Sequence, residues 1–178
     1  LVRSRGLGDV YKRQAYAINA GVTDPTKVLA LTFTAKAAGE MRARLRVLGI
    51  SNAAARTFHS AALKQLLYFW PYAFGGQFPS LLTTKSGFIS QAITRAEVAI
   101  PAQVNALREI ASEIEWAKVL EISPEDYQER AIESSRLVKL PNSKTQGENL
   151  SMIAQVYEAY ESLKKQERTL DFEDVLLL

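Results

Sequence analysis

Two patterns of hydrophobic and polar residues follow each other along the chain, and the change falls near residue 77. Before it, a predicted strand at 27–32, built on the apolar run 28–31, and a short predicted strand at 55–57 each lead into a helical pattern, at 35–47 and 59–69. Apolar runs of this length, rich in β-branched and small residues, are typical of buried strands, and strand–helix alternation indicates a parallel sheet. From about 79 to 168 only helical patterns occur. The sequence therefore predicts the α/β class, with most residues in helices.

The helical block divides at recognisable helix starts. We expect helices at 86–98 and 101–120, the second beginning at Pro101, and another start at Ser123, where a cap is followed by proline and acidic residues. Residues 136–149 are polar and predict a mobile connection before a helix at 150–166. Apolar stripes at helical spacing mark the buried faces: Leu107, Ile110, Ile114 and Ala117 in one helix, and Ile153, Val156, Tyr157, Tyr160 and Leu163 in the other.

Composition excludes several classes of protein. The chain has 178 residues and no cysteine, which removes disulfide and thiol chemistry and fits a reducing cytoplasm. No apolar run approaches the ~18 residues of a membrane span, so we expect no membrane partner. Charge is uneven: residues 1–70 carry a net charge of +8 and residues 71–178 carry −5. A polyanion is therefore expected to meet the first part, although a solvated surface without a partner has the same charge pattern.

A turn with one aromatic ring and two hydroxyl groups, Thr32-Phe33-Thr34, follows the first predicted strand. Open α/β sheets bind their ligands at the carboxyl ends of their strands, which is where this turn lies. By residue type alone Phe33 is a core residue, and Thr34 is a helix cap. Two interpretations of Phe33 thus stay open at this point, a buried contact between helix and sheet or an exposed surface for stacking.

The whole string around this turn resembles motif Ia of the UvrD/Rep/PcrA-like superfamily 1 DNA helicases, TFTNKAAxEMxxR(L/I). Ala35 departs from the pattern, which has Asn at that position. In the family this turn lies against single-stranded DNA, so the resemblance implies DNA-binding roles for Thr32, Phe33, Thr34 and Lys36. The matching residues are Thr32, Phe33, Thr34, Lys36, Ala37, Ala38, Glu40, Met41 and Leu45, and the arginine of the pattern falls at Arg44, two residues after Arg42.

A second string, ARTFHS at 55–60, resembles motif Ib of the same family. The resemblance implies that Thr57, Phe58 and His59 bind DNA. In the family the threonine and the histidine lie beside the DNA backbone or help to shape its channel, where a hydroxyl and an imidazole N–H position a strand without reading its sequence. His59 is the single histidine of the chain, so the residues offer no metal site built on nitrogen or sulfur ligands. The alternative is a histidine satisfied by backbone hydrogen bonds.

The ends of the chain lack the nucleotide-binding motifs of that family. Residues 1–14, LVRSRGLGDVYKRQ, contain no G-x-x-x-x-G-K-[ST] loop and resemble a translated adapter sequence, so we expect them to be non-native. Without them the net charge falls to zero, and the basic cluster that remains is local: Lys27, Lys36, Arg42, Arg44, Arg46, Arg56 and Lys64. Residues 171–178 resemble the DF(D/E)DLL element ahead of Walker B. Their carboxylates, Asp171, Glu173 and Asp174, are interpreted as a helix cap, with a metal site as the alternative.

The resemblance implies a domain organisation. Residues 15–76 would be part of a RecA-like motor domain with an incomplete parallel sheet, 77–168 an inserted all-helical subdomain, and 169–178 the return to the motor domain. The stretch 113–127, EIEWAKVLEISPEDY, also resembles members of this family. An aromatic cluster at 68–74 predicts side-chain packing at the domain boundary rather than a stacking surface.

The functional expectation is a fragment of an ATP-dependent 3′–5′ DNA helicase that acts on single-stranded DNA in repair or replication. ATP and Mg²⁺ would serve the full-length parent, and no cofactor is expected on this chain. Three alternatives stay open: a non-enzymatic nucleic-acid-binding module, a helical interaction domain, and the motor part of a helicase–nuclease.

The missing motifs generate a first prediction. The 178-residue chain alone is expected to lack ATPase activity, because Walker A and Walker B residues hold the phosphates and Mg²⁺. Phosphate release measured with malachite green in the presence of single-stranded DNA tests this, and clear turnover would contradict it.

Overall fold

The computed structural model describes residues 7–143 and 145–178, with side chains from residue 11 onward. The chain forms two compact units, a first one that ends at Ala73 and a second one at Phe74–Leu178. The expected non-native stretch at 1–14 falls partly outside the described residues, and its residues from Leu7 onward belong to a helix. None of the helices among the described residues combines the length and the apolar character needed to cross a bilayer.

From Leu7 onward, the described part of the first unit contains two parallel strands and three α-helices. Helix α1 (Leu7–Asn19) is followed by a 3-10 turn at Pro25–Lys27, and then by strand β1 (Leu29–Thr32) and helix α2 (Ala35–Val47). Strand β2 (Ala54–Thr57) leads directly into helix α3 (Phe58–Ala73). The 3-10 turn shortens the predicted strand at its start, because Asp24 caps that turn through the backbone N–H of Thr26. The parallel α/β character expected from the sequence is confirmed.

The core of the first unit lies between α2 and one face of the sheet. Ala38, Met41 and Leu45, the predicted stripe of α2, are buried. They meet Ala30 of β1 and Ala55 of β2, whose small side chains let the helix approach the sheet closely. The opposite face of β1 leaves its two leucines about two-fifths exposed. The α2 side of the sheet is therefore the side that stabilises this unit.

The second unit is a helical block with two very short parallel strands. Its helices are α4 (Ser86–Arg95), α5 (Val104–Val119), α6 (Tyr127–Glu133), α7 (Gln146–Gln166) and α8 (Asp174–Leu177), and its strands are β3 (Ser80–Leu81) and β4 (Thr169–Leu170). β3 and β4 pair in parallel, with Ser80 opposite Thr169. The residues that enter the helical block and those that leave it are therefore adjacent.

The predicted stripes of α5 and α7 form the core of the second unit. Ile110, Ile114 and Ala117 are fully buried, and the five apolar positions of the α7 stripe are buried with them. Helix α5 begins at Val104 rather than Pro101, so the predicted start at the proline is wrong. Helix α7 begins four residues earlier than expected, because Thr145 and Glu148 form a reciprocal capping box that lets Gly147 join the first turn. The polar connection is correspondingly shorter.

The aromatic cluster at 68–74 lies in the last turns of α3 and at the residue that follows it. Helix α3 continues through Pro71 to Ala73, and the rings of Tyr68, Phe69 and Tyr72 are exposed. A proline in the last turn of a helix removes one N–H donor without ending the helix, so the helix carries these rings on its surface. Packing of this cluster at the domain boundary stays a prediction.

A buried ion-pair network ties the end of the chain to the helical block. Asp171 is fully buried and accepts hydrogen bonds from Lys118 of α5 at 2.8 Å, from Lys164 of α7 at 2.9 Å and from the hydroxyl of Tyr160 at 3.0 Å. Both ammonium groups also contact the carboxylate of Asp174. The backbone N–H of Asp174 donates to the carboxylate of Asp171 at 3.0 Å. The N-cap of α8 is Glu173, which makes no side-chain capping bond. Asp171 instead accepts from the first residue of the helix and joins it to α5 and α7.

A second buried carboxylate organises the EIEWAK stretch. Glu113 accepts a hydrogen bond from the Tyr127 hydroxyl at 2.8 Å and forms an ion pair with Arg136. The guanidinium of Arg136 lies 4.8 Å from the ring centroid of Trp116. Because a buried carboxylate without such partners is very costly, these contacts explain why charged residues are found inside this stretch.

Replacement of Asp171 is expected to destabilise the second unit strongly. Asp171→Ala leaves the ammonium groups of Lys118 and Lys164 buried with fewer counter-charges, which costs about 3–5 kcal/mol of unfolding free energy. Glu158→Ala, at an exposed position of α7, is the matched control and should change stability by less than about 0.5 kcal/mol. Urea unfolding followed by circular dichroism measures both, and equal effects would contradict the structural role of Asp171.

The same network predicts a loss of stability in acid. Burial raises the pKa of Asp171, but the ammonium groups of Lys164 and Lys118 lower it by more than burial raises it. The pKa of Asp171 in the folded protein therefore lies below the ordinary value. A carboxylate with a depressed pKa stabilises the fold above its unfolded pKa of about 3.9, and this contribution is lost as the pH falls below that value. We expect the unfolding free energy to decline below about pH 4, and to decline less in Asp171→Asn. Urea titrations at a series of pH values test this, and parallel declines in both proteins would contradict it.

Candidate nucleic-acid interface

The two sequence motifs lie side by side because β1 and β2 are neighbours in parallel. Thr32 is opposite Thr57, so both strands end at the same level of the sheet. Phe33 follows the first strand and Phe58 follows the second. The residues that the sequence placed 25 positions apart are therefore brought to one edge.

Phe33 and Phe58 form an exposed pair of rings at this edge, which we call the aromatic edge. The centroids of the rings are 5.1 Å apart and their planes are inclined by 37°. Phe33 is 91% exposed and Phe58 is 43% exposed. Of the two interpretations left open by the sequence, the structure supports the exposed one and excludes burial of Phe33 in the core.

The hydroxyl groups beside Phe33 hold the turn that presents its ring. Thr32 is buried, and its Oγ1 donates to the carbonyl oxygen of Thr34 at 3.0 Å. Thr34 has extended backbone angles, and its Oγ1 accepts from the backbone N–H of Ala37 at 3.1 Å, which caps α2. Both threonines thus fix the backbone conformation around Phe33. Because Thr32 is buried, it can affect a ligand only by holding this turn in place.

A similar local arrangement starts α3. Thr57 Oγ1 accepts from the backbone N–H of Ser60 at 3.2 Å, and Ser60 Oγ donates to the carbonyl oxygen of Thr57 at 3.0 Å. These two bonds turn the chain from strand to helix within one residue, which places Phe58 in the first helical position. His59 follows it and is exposed. Thr57 is half-buried, so its hydroxyl serves the turn and still reaches the surface.

The electrostatic character of the aromatic edge is positive. Helices α2 and α3 both begin there, and neither has an acidic residue in its first turn. A helix N-terminus carries a partial positive charge and free backbone N–H groups, which favour an anion. Lys36 adds an exposed ammonium group in the first turn of α2. The edge therefore combines exposed rings with a field that attracts negative charge.

The members of the local basic cluster differ in their surroundings. Arg44 forms an ion pair with Glu40 at 3.8 Å and lies 5.3 Å from the ring centroid of Tyr11, so it serves the α1–α2 contact. Arg42 instead donates to the carbonyl oxygen of Ala55 at 2.6 Å, beside the aromatic edge. The sequence grouped both arginines together, and the i, i+4 spacing of Arg44 from Glu40 is the signal that could have separated them.

The acidic residues near the end of the chain do not form a cation site. Glu161, Asp171 and Asp174 have carboxylate oxygens within 4.8 Å of one another, a spacing that would suit a metal ion. The ammonium groups of Lys118 and Lys164 contact all three carboxylates. Since two cations already occupy the space between these oxygens, the cluster is an internal ion-pair network.

Comparison with known proteins identifies related sequences. The family model described as the UvrD/REP helicase N-terminal domain matches residues 10–178. A protein of Mycobacterium bovis named ATP-dependent DNA helicase UvrD2 is 37% identical over 176 residues, which covers 93% of this chain and 24% of the relative. Its namesake from Mycobacterium tuberculosis aligns with the same identity and coverage. The chain thus spans about a quarter of the length of these curated relatives.

Proposed function

Because the chain belongs to the UvrD/REP helicase N-terminal domain family, we propose that it is part of the motor of an ATP-dependent 3′–5′ DNA helicase. In this proposal the aromatic edge grips single-stranded DNA, and the residues that take part are Thr32, Phe33, Thr34, Lys36, Thr57, Phe58 and His59. The observation that carries the proposal is the nearly complete exposure of Phe33 beside Phe58.

The chemistry of the aromatic edge suits a translocating motor. Every base has a π-face, so stacking on a phenylalanine ring binds any sequence and contributes about 1–3 kcal/mol per base. A motor that moves along a strand needs contacts of this kind, because a base-specific hydrogen bond would favour one position over the next. Phe33 offers one open face for such a base, and Phe58 supports the ring from the side.

Positive potential at the edge would hold the backbone of the same strand. The first turns of α2 and α3, together with Lys36, favour phosphate groups without reading a base. Thr57 is the last residue of β2 and His59 lies in the first turn of α3. Both would contact the DNA backbone next to the stacked base. Thr32 and Thr34 would act by keeping Phe33 in place.

The nucleotide chemistry belongs to other parts of the proposed helicase. The sequence contains no G-x-x-x-x-G-K-[ST] loop, and the acidic cluster among the described residues is filled by lysine ammonium groups. These residues do not fit ATP and Mg²⁺, so we assign the chain no step of hydrolysis. The proposal places the helical block as the subdomain inserted into the motor domain, and the whole protein in the cytoplasm.

The stacking role of Phe33 can be separated from any structural role. Phe33→Leu should lower the affinity for a short oligothymidylate by roughly 5- to 150-fold, which corresponds to the loss of about 1–3 kcal/mol of stacking. Its melting temperature should stay unchanged, because the ring is 91% exposed. Fluorescence anisotropy with a labelled oligonucleotide measures the affinity.

The control is Tyr72→Leu, which removes another strongly exposed ring, on α3 outside the aromatic edge. It should leave the affinity within about twofold. If Phe33→Leu binds as tightly as the unaltered chain, or if both variants lose affinity equally, the proposed grip is wrong.

A further inference from the structure

An open cavity of about 360 Å³ lies in the first unit, between α2 and β2. Its upper end reaches Thr57, the residue directly before Phe58. The lining residues are Ala35, Ala38, Arg42, Ala54, Ala55, Arg56, Thr57 and Ser60. Two of these eight residues are arginines and none is acidic, so the lining favours an anion.

Arg42 is held in a fixed orientation at this cavity. Its Nη1 donates to the carbonyl oxygen of Ala55 at 2.6 Å. A guanidinium has five N–H donors in a rigid plane, so this bond uses one and leaves the others for a ligand. Because the side chain is already anchored, less conformational entropy is lost when it binds an anion.

Two hydroxyl groups and four small side chains complete the lining. Thr57 Oγ1 accepts a hydrogen bond from the backbone of Ser60, which leaves its own O–H group as a donor. The alanines at 35, 38, 54 and 55 provide room without a charged or polar side chain. The Ser60 hydroxyl already donates to the carbonyl oxygen of Thr57. The donors left for an anion are therefore the Thr57 hydroxyl and the two guanidinium groups, which suit the acceptor oxygens of a phosphate group.

We propose that this cavity binds a backbone phosphate of the single strand whose base stacks on Phe33, with Arg42 and Arg56 as its cationic ligands. The inference rests on the proposed function, since the strand must first cross the aromatic edge. The register of Thr32 opposite Thr57 puts the upper end of the cavity next to that edge. Arg42 and Arg56 are thereby assigned a role in positioning the strand, beyond the general charge of the surface.

The salt dependence of binding tests this inference. For single strands, each neutralised phosphate contributes about 0.7 to the slope of log affinity against log salt concentration. Arg56→Gln and Arg42→Gln should each reduce the slope for oligothymidylate by up to this amount, because the two arginines share one phosphate. Arg46→Gln, an exposed arginine of α2 that does not line the cavity, is the matched control and should leave the slope unchanged.

Folding and function are kept separate by the choice of variants. Arg42→Gln removes the bond to Ala55, so its melting temperature is measured by circular dichroism. Arg56→Gln tests the cavity without that bond. Phe33→Leu should lower affinity while it leaves the slope unchanged, because stacking neutralises no phosphate. If Phe33→Leu lowers the affinity but Arg42→Gln and Arg56→Gln leave the salt slope unchanged, only this inference is overturned. If Phe33→Leu binds as tightly as the unaltered chain, the proposed function is overturned.

Two other kinds of anion, inorganic phosphate and an acidic peptide, are distinguished from DNA by a further measurement. Inorganic phosphate is added alone and its binding is followed by NMR shifts of the arginine side chains. If phosphate binds through Arg42 and Arg56 while the oligothymidylate slope stays the same in the variants, the cavity takes a free anion and the inference is wrong. Displacement of phosphate by a glutamate-rich peptide but not by oligothymidylate would also overturn it.

Discussion

The parallel pairing of β1 with β2 is the constraint on which the candidate interface depends. Thr32 and Thr57 stand opposite each other, so the turn after one strand and the helix start after the other lie at the same edge. A shift of register would move Phe58 away from Phe33 and separate the two helix N-termini. Register is fixed here by the buried face of the sheet, where Ala30 and Ala55 pack against α2.

The contacts around the aromatic edge divide between holding the turn and presenting the ring. The Thr32, Thr34 and Thr57 hydroxyl groups are engaged with nearby backbone groups, whereas the Phe33 ring has little protein around it. A phenylalanine gains nothing for the fold when it is 91% exposed, because the hydrophobic effect favours burial. The hydroxyl groups of this turn hold its backbone in the conformation that exposes an apolar ring, which is consistent with a binding surface.

The second unit shows a different use of buried charge. Asp171 and Glu113 sit in the interior with lysine, arginine and tyrosine partners from distant positions in the chain. Such networks contribute less free energy than an apolar core of the same size, but they are satisfied only in one arrangement. They therefore specify how the end of the chain joins α5 and α7.

The periodicity of apolar residues was sufficient to predict which faces of the helices are buried. It did not predict helix ends or long-range ion pairs, which depend on a few polar contacts. The stripes of α2, α5 and α7 are buried as expected except for Leu107 of α5, which is only partly buried, because spacing determines which side of a helix meets the core. The start of α7 was misplaced because the Thr145–Glu148 capping box outweighs the glycine between them. The pairing of Lys118 with Asp171 joins residues 53 positions apart, which no local pattern reveals. The exposure of Phe33 likewise depends on which face the turn presents, and only the family resemblance indicated it.

The most direct test of the account is where a bound base touches the chain. A single-stranded oligonucleotide carrying 5-iodouracil is crosslinked to the protein by light, and the modified residue is identified by mass spectrometry. Attachment at Phe33 or Phe58 is the predicted result. Attachment confined to the exposed rings of Tyr68, Phe69 and Tyr72 would contradict it, since the strand would then follow α3 and not the ends of the two strands.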